Sequence, residues 1–170
     1  MQMQLVEPSP RRRQRHSVPG QPEITFGWEP FAFCIREARP LLAREAAEVQ
    51  TDPRTPYDPD WERLFGWAAS GALDVWTVRA ELTLIGYASV LFMPHLYSRE
   101  VKMANVHTPY LAPEWRAGWL GFEMLETLCE ALRERGVNLV DVDLPAGSRL
   151  HRIFDRMKFA VEDTRRRLWL

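Results

Sequence analysis

The part of this sequence best suited to chemistry is a glycine-containing turn that leads into a helix. Residues 110–122 read YLAPEWRAGWLGF, with Arg116, Gly118 and Gly121 at the turn. Glycine lets a backbone approach a phosphate closely, and the first N–H groups of a helix are unpaired donors at the positive end of its dipole. Arg116 can add a charge-assisted hydrogen bond. The pattern predicts an anion site, although glycine at such a junction also serves tight packing.

Local patterns predict the elements that position this turn. A strand is expected over residues 101–113, and Pro109, which lacks a backbone donor, predicts a bulge or distortion within it. A helix is expected over residues 116–135, ended by Gly136. Its apolar stripe is formed by Leu120, Leu125, Leu128 and Leu132.

Upstream of the turn, one strand and two helices are predicted. Aromatic and apolar residues indicate a strand over residues 24–33, interrupted near Pro30. Residues 35–50 are expected to form an amphipathic helix. Asp58, followed by proline, is typical of the start of a second helix, which stops at Gly71. The stripe of the first helix is formed by Leu41, Leu42, Ala46 and Val49.

A hairpin and three C-terminal elements complete the pattern. Residues 73–80 and 82–93 are β-rich and joined by a tight turn, which predicts an antiparallel hairpin. After the long helix we expect a strand over 137–144, a short helix over about 147–157 and a last strand over about 159–169. The order is therefore βααβββαβαβ, without an internal repeat.

Composition indicates one soluble domain and excludes several classes of function. The 170 residues are 46% hydrophobic and 26% charged with a formal net charge of −1, so the overall field favours neither nucleic acid nor membrane. No apolar run approaches the roughly 18 residues of a membrane span, and we expect no secretory signal. Cys34 and Cys129 are far apart and no His/Cys cluster occurs, so neither a disulfide framework nor a metal site is expected. The expected location is the reducing cytoplasm.

The N-terminal segment differs from the remainder. Residues 1–22 combine prolines and several arginines without hydrophobic periodicity, so we expect a flexible basic arm ahead of a domain over residues 23–170. Such an arm is either a solvated tail or an electrostatic contact for nucleic acid or an acidic partner.

The turn and the order of elements together resemble the GNAT acetyltransferase superfamily. In that family the pyrophosphate of acetyl-CoA lies on an R-x-x-G-x-G/A loop that opens the central helix, and the preceding strand pairs with the pantetheine arm. Arg116 and Gly121 match the first and last places, while Trp119 replaces the middle glycine and Gly118 comes one residue earlier. The resemblance implies an α/β (α+β) GNAT fold, with a mixed, twisted sheet of six or seven strands. Helices would cover both faces, and two central strands would splay apart.

Longer segments are similar to GNAT-like proteins of tailed phages. They are PLLAREAAEV, YDPDWERL and LIGYASVLFMPHLYS, followed by YLAPEWRAGWLGFEMLE, within about residues 35–160. This resemblance implies a phage-encoded protein in the host cytoplasm that uses acetyl-CoA as co-substrate and needs no metal. It places the cofactor on the strand end and turn, at Tyr110, Leu111, Ala112, Arg116, Ala117, Gly118, Trp119, Leu120, Gly121 and Phe122.

Acetyl transfer to an amine needs a base for the ammonium proton and an acid for the leaving thiolate. Many GNAT enzymes carry a tyrosine acid on the last short helix, where this chain has Phe154, and a glycine where it has Lys158. Tyr110 or a water can replace that acid. His107 stands where the phage-type proteins often carry an acidic residue, which makes it the candidate base, directly or through water.

Alternatives to these roles stay open. His107 can equally be a hydrogen-bonded structural residue, and Glu100 and Glu114 flank the same strand as possible bases acting through water. The missing tyrosine at position 154 also allows a catalytically inactive GNAT scaffold that binds a host or virion protein, with or without coenzyme A. We expect an N-acetyltransferase acting on a small molecule or a protein, because a scaffold without catalysis has no need of a phosphate loop.

Overall fold

The computed structural model describes residues 13–14, 22–49, 54–144, 148 and 150–161. A short 3-10 turn, Pro113–Trp115, precedes the third helix. The helices and strands are β1 (Arg13–Gln14), β2 (Ile24–Glu29), α1 (Phe31–Val49), α2 (Trp61–Ala69), β3 (Leu73–Ala80), β4 (Thr83–Pro94), β5 (Lys102–Leu111), α3 (Leu120–Glu134), β6 (Leu139–Asp143) and α4 (His151–Arg156).

The described strands form one mixed sheet in the order β1-β2-β3-β4-β5-β6. Neighbours are antiparallel except for β5 and β6, which are parallel because α3 supplies the crossover between them. The β5–β6 pairing runs only from Met103–Leu139 to His107–Asp143, whereas β5 continues to Leu111. The predicted mixed sheet is thus confirmed with six strands, and its parallel pairing stops in the middle of β5.

Helices cover both faces of the sheet, as predicted. The larger apolar cluster lies between the sheet and α3 and includes Val106, Leu111 and Leu128. The second cluster joins the other face to α1 and α2 and includes Cys34 and Tyr110. Side chains alternate along a strand, so the neighbours Tyr110 and Leu111 point to different helical layers.

The first helix begins earlier than the sequence indicates. The strand predicted over residues 24–33 ends at Glu29, and α1 begins at Phe31. The N–H groups of Phe33 and Cys34 donate to the Pro30 carbonyl at 2.8 and 3.2 Å, so the proline that was expected to interrupt a strand opens a helix instead.

The buried face of α1 also differs from the predicted stripe. Leu41 is buried as predicted, but Val49 is exposed and Glu45 is buried. The Tyr87 hydroxyl donates to Glu45, and this bond offsets the cost of burying a carboxylate. The buried residues of the helix are Phe31, Cys34, Ile35, Ala38, Leu41 and Glu45.

Helices α2 and α3 begin later than predicted. Asp60, not Asp58, caps α2, because its Oδ1 accepts from the Arg63 N–H at 3.0 Å. Helix α3 begins at Leu120 rather than at residue 116, since Gly118 has a φ of +75°, outside the right-handed helical range.

Part of the predicted N-terminal arm belongs to the sheet, since β1 pairs with β2. The remainder of residues 1–21, and residues 162–169 of the predicted last strand, lie outside the described residues. Among the helices described, none is long and apolar enough to cross a bilayer. Within the same ranges, no three His, Cys, Asp or Glu side chains are grouped as metal ligands would be.

Candidate active site

Strand β5 is irregular where its proline lies. Between the pairs Ser89–His107 and Tyr87–Tyr110, β5 contains one residue more than β4. Pro109 falls in this interval, where a missing N–H is tolerated because the extra residue leaves the ladder unpaired. The predicted bulge is confirmed, and it separates His107 from the end of the strand.

His107 lies at the place where the parallel pairing stops. It is opposite Ser89 on β4 and is the last β5 residue in register with β6, where its partner is Asp143. Its side chain is exposed. Val106 belongs to the α3 cluster, so strand alternation turns His107 to the opposite face of the sheet. The sequence analysis did not include Asp143 among the candidate site residues. The alternation of aspartate and valine in VDVD, which places Asp143 on one face of a strand, was the available signal.

Tyr110 faces the α1 layer and is buried, with 4% of its surface exposed. Its hydroxyl donates to Glu48 Oε1 at 3.1 Å. Burial raises the pKa of the Tyr110 phenol, and the hydrogen bond to Glu48 raises it further. The phenol therefore stays protonated at neutral pH and keeps a proton that it can donate.

Arg116 folds back onto the strand end and α1. Its Nε donates to the Leu111 carbonyl at 2.6 Å, and its Nη2 lies 2.8 Å from Glu48 Oε2. The guanidinium carbon also lies 5.1 Å from the centre of the Tyr110 ring. The arginine of the turn thus holds the turn against β5, and its charge is paired with a carboxylate.

The end of α1 makes a second contact with the turn through Glu114. Arg44 binds Glu114 with both of its terminal nitrogens, at 3.3 and 2.9 Å. This hydrogen bonding from Arg44 lowers the pKa of the Glu114 carboxyl. Sequence reasoning assigned α1 only an apolar stripe and missed Arg44 and Glu48, since ion pairs between residues this distant in sequence leave no local pattern.

Glu100, the other candidate carboxylate, lies at the opposite end of β5 from the turn. Its backbone carbonyl accepts from Asn138 Nδ2 at 3.2 Å, just before the strand begins. A strand rises about 3.3 Å per residue, so Glu100 is separated from His107 by roughly 20 Å along the chain direction. The structure does not bring these two candidate bases together.

The turn ends in the N-terminus of α3. The first intrahelical bond runs from the Glu123 N–H to the Trp119 carbonyl at 2.9 Å. The N–H groups of residues 120–122 precede it and have no acceptor within the helix. A Cβ on Gly118 would meet nothing within 4 Å, so this side of the turn is open. These donors and the helix dipole fit a phosphate group.

Helix α4 lies beside this turn. A Cβ on Gly121 would lie 3.7 Å from Ile153 Cδ1, which places the two helices in close contact. Phe154 is buried, and its ring packs edge-on against Phe159, with ring centres 4.9 Å apart. A phenyl ring has no proton to donate. Lys158 has a φ of +63°, a left-handed conformation that explains why the resemblance expects glycine there.

Three solved structures with this fold are acetyltransferases by their descriptions. A GCN5-related N-acetyltransferase from Ralstonia eutropha JMP134 superposes with a TM-score of 0.70 at 15% identity, covering 86% of this chain and 98% of its own. A predicted acetyltransferase from Clostridium acetobutylicum with acetyl-CoA gives 0.68 at 16% identity, over 85% and 95%. A ribosomal-protein-alanine N-acetyltransferase from Brucella melitensis gives 0.66 at 14%, over 86% and 99%. Identity this low shows a shared fold alone.

The sequence itself also matches a family model. Residues 37–159, well over half of the chain, match the Acetyltransferase (GNAT) family. No curated protein is significantly similar to the chain. The matched region contains α2, the hairpin, β5, the glycine turn, α3, β6 and α4. By this match the chain belongs to the GNAT acetyltransferase family.

Proposed function

We propose that this protein is an N-acetyltransferase that transfers an acetyl group from acetyl-CoA to an amine of a small molecule or a protein. One observation carries the proposal. The β5–β6 pairing stops at His107, beside the bulge and just before a glycine turn at a helix N-terminus. Acetyl-CoA-dependent N-acetylation is what family membership generally implies.

The turn supplies the groups that would hold the cofactor. The N–H donors at the start of α3 suit the pyrophosphate, and the backbone of β5 beyond His107 suits the pantetheine arm. Arg116, besides its proposed cofactor contact, holds the turn in shape through Leu111 and Glu48. The proposed cofactor contacts are Tyr110, Leu111, Ala112, Arg116, Ala117, Gly118, Trp119, Leu120, Gly121 and Phe122.

His107 is the proposed base and Tyr110 the proposed acid. The amine nitrogen forms a bond to the acetyl carbonyl carbon, and the bond from that carbon to sulfur breaks. His107 takes the proton that the nitrogen loses, and Tyr110 supplies one to the departing sulfur. The raised pKa of Tyr110 keeps its proton available, but its hydrogen bond to Glu48 must open first.

A phage origin and a cytoplasmic location are parts of the same proposal, supported by the resemblance of residues 35–160 to the phage proteins.

The acceptor is an amine that reaches the exposed His107 from the sheet face opposite α3. A scaffold without catalysis is not favoured, because the turn has glycines at positions 118 and 121 and an open helix N-terminus.

Melting temperature with acetyl-CoA tests cofactor binding first. A ligand that binds only the native state adds about 2.7 kcal/mol at a hundredfold excess over Kd. For a chain of 170 residues this raises Tm by roughly 5–10 °C. UMP at the same concentration, which lacks both the purine and the pyrophosphate, is the control for unspecific nucleotide binding. An unchanged Tm at millimolar acetyl-CoA contradicts the proposal.

Thiol release with a panel of amines then tests turnover. Small polyamines, aminoglycosides and peptides with free N-termini cover the two acceptor classes. Release of free CoA that depends on both the amine and His107 supports the enzyme. Tight cofactor binding without turnover on any amine supports the scaffold instead.

A further inference from the structure

Trp119 is unusual for its position. It caps α3 without a side-chain hydrogen bond, where Ser, Thr, Asp or Asn would stabilise the helix. The residue is 58% exposed to solvent. It also stands where the family pattern has a glycine. Neither helix capping nor core packing accounts for a large aromatic ring at this place.

The indole is held by two neighbours. The Phe122 ring meets it edge-on, with centres 5.8 Å apart and planes at 89°. The guanidinium carbon of Arg156, on α4, lies 5.0 Å from its centre. A cation over an aromatic ring is attracted to it, so this contact favours a position of Arg156 at the rim of the turn.

Arg156 is a cation beside this turn that remains available for a ligand. Arg116 is paired with Glu48, and its Nε is used by the Leu111 carbonyl. The guanidinium of Arg156 is exposed and forms no ion pair within the described part of the chain. Lys158 is also exposed at the end of α4, so positive charge collects beside the N-terminus of α3.

We propose that Trp119 and Arg156 together bind the adenosine 3′-phosphate end of coenzyme A. The inference rests on the proposed function. With the acetyl group at His107 and the pyrophosphate on the first N–H groups of α3, the nucleoside end extends past the turn, where Trp119 lies. An indole suits stacking with a purine, and a guanidinium suits a phosphate. The charge that binds the 3′-phosphate thus comes from α4, while the arginine of the turn is paired with Glu48.

The test compares three ligands: CoA, 3′-dephospho-CoA and acetyl-pantetheine, which lacks the nucleotide. Calorimetry should show that the wild type prefers CoA to 3′-dephospho-CoA. Arg156→Ala should weaken CoA binding about tenfold or more, and 3′-dephospho-CoA binding by no more than about twofold. Trp119→Ala should weaken both nucleotides about fivefold or more and leave acetyl-pantetheine unchanged. Trp119→Phe, which keeps an aromatic face, should retain most of the affinity.

Arg133→Ala is the matched control, since it removes the same charge from the exposed last turn of α3. If Arg133→Ala and Arg156→Ala weaken CoA binding equally, the effect is due to the net charge of the protein rather than to a contact with Arg156, and the inference is wrong. Equal weakening of CoA and 3′-dephospho-CoA by Arg156→Ala would remove the phosphate contact. Trp119→Ala with wild-type affinity for all three ligands would remove the stacking. If the wild type binds CoA and both variants bind all three ligands like the wild type, this inference alone is wrong. If the wild type binds no CoA, the proposed function is wrong.

Discussion

At the scale of single residues, the bulge in β5 sets the positions of the proposed base His107 and the proposed acid Tyr110. The bulge before Tyr110 interrupts the regular alternation of β5, so His107 and Tyr110 turn to the same face of the sheet although they are three residues apart. His107 is exposed, and Tyr110 is buried and hydrogen-bonded. A base must reach the incoming amine, whereas an acid must hold its proton until the sulfur departs. The exposure of His107 and the burial of Tyr110 suit these two proposed tasks.

His107→Ala should lower turnover by about two to four orders of magnitude, the usual effect of removing a general base. The affinity for acetyl-CoA should stay nearly the same, because the proposed cofactor contacts begin at Tyr110, beyond the bulge that follows His107. Steady-state kinetics with an active amine and calorimetry with acetyl-CoA measure the two effects separately. His95→Ala, which removes an imidazole from the loop after β4, is the control. Wild-type turnover in His107→Ala would exclude His107 as the base.

At the scale of elements, the end of β5 is held from both sides. The last turns of α1 hold it through Glu48, which binds both Tyr110 and Arg116. On the other side, β4 approaches closely at Gly86, where a Cβ would lie 2.8 Å from the Tyr110 carbonyl oxygen and 2.9 Å from Leu111 Cδ1. Real Cβ atoms do not come so close to a backbone carbonyl. The glycine therefore sets where the strand, and hence the turn after it, can lie.

Gly86→Ala should destabilise the protein by about 1–3 kcal/mol, the usual cost of overpacking. It should also weaken acetyl-CoA binding, because β5 must shift at the residues that lead into the turn. Thermal melting and calorimetry measure the two changes.

Gly66→Ala is the matched control, since a Cβ there meets nothing within 4 Å and the residue lies in α2. This variant should be neutral or stabilise the protein by up to about 1 kcal/mol, as alanine favours a helix over glycine. If Gly86→Ala has the Tm and the acetyl-CoA affinity of the wild type, β4 can shift to accommodate the Cβ, and the close contact at Gly86 does not set the position of β5.

At the scale of the whole molecule, the two halves of the sheet have different tasks. The antiparallel half contains a buried charge network in which Arg79 Nε lies 2.6 Å from Glu29 and its Nη1 lies 2.9 Å from Glu37. Hydrogen bonds to Glu29, and then to Glu37, raise the pKa of Arg79, so this cation stays charged. Breaking such a buried pair typically costs about 3–5 kcal/mol. The half that carries β5 and β6 holds the candidate site instead.

Deleting residues 1–22 should leave the cooperative melt and acetyl-CoA binding intact. The deletion removes β1, which pairs with β2 at only two positions, Arg13–Phe26 and Gln14–Thr25. Two residue pairs of an antiparallel ladder share about two hydrogen bonds, and each contributes about 0.5–1.5 kcal/mol net, so Tm should fall by no more than about 12 °C. Calorimetric melting of the shortened chain measures this. Loss of the cooperative transition would instead make the arm part of the core.

The sequence alone determined the features that depend on neighbours along the chain. The leucine repeat predicted α3, Gly136 predicted its end, and Pro109 predicted the bulge, because periodicity, left-handed glycines and a missing N–H act locally. The glycine turn was likewise found from its residues. The errors in these local predictions were shifted helix boundaries. The aromatic residues at the start of α1 were predicted as part of a strand, and the cap of α2 is Asp60 rather than Asp58.

Only the tertiary structure decided which distant residues meet. Glu48 reaches Tyr110 and Arg116, and Arg156 lies over Trp119, through contacts between elements that the chain separates widely. Which face Tyr110 takes depends on how many residues the bulge inserts, and a proline signals a bulge without giving its register. The local sequence does not predict such pairings. They form only when the folded sheet brings α1, β5, α3 and α4 together around the turn.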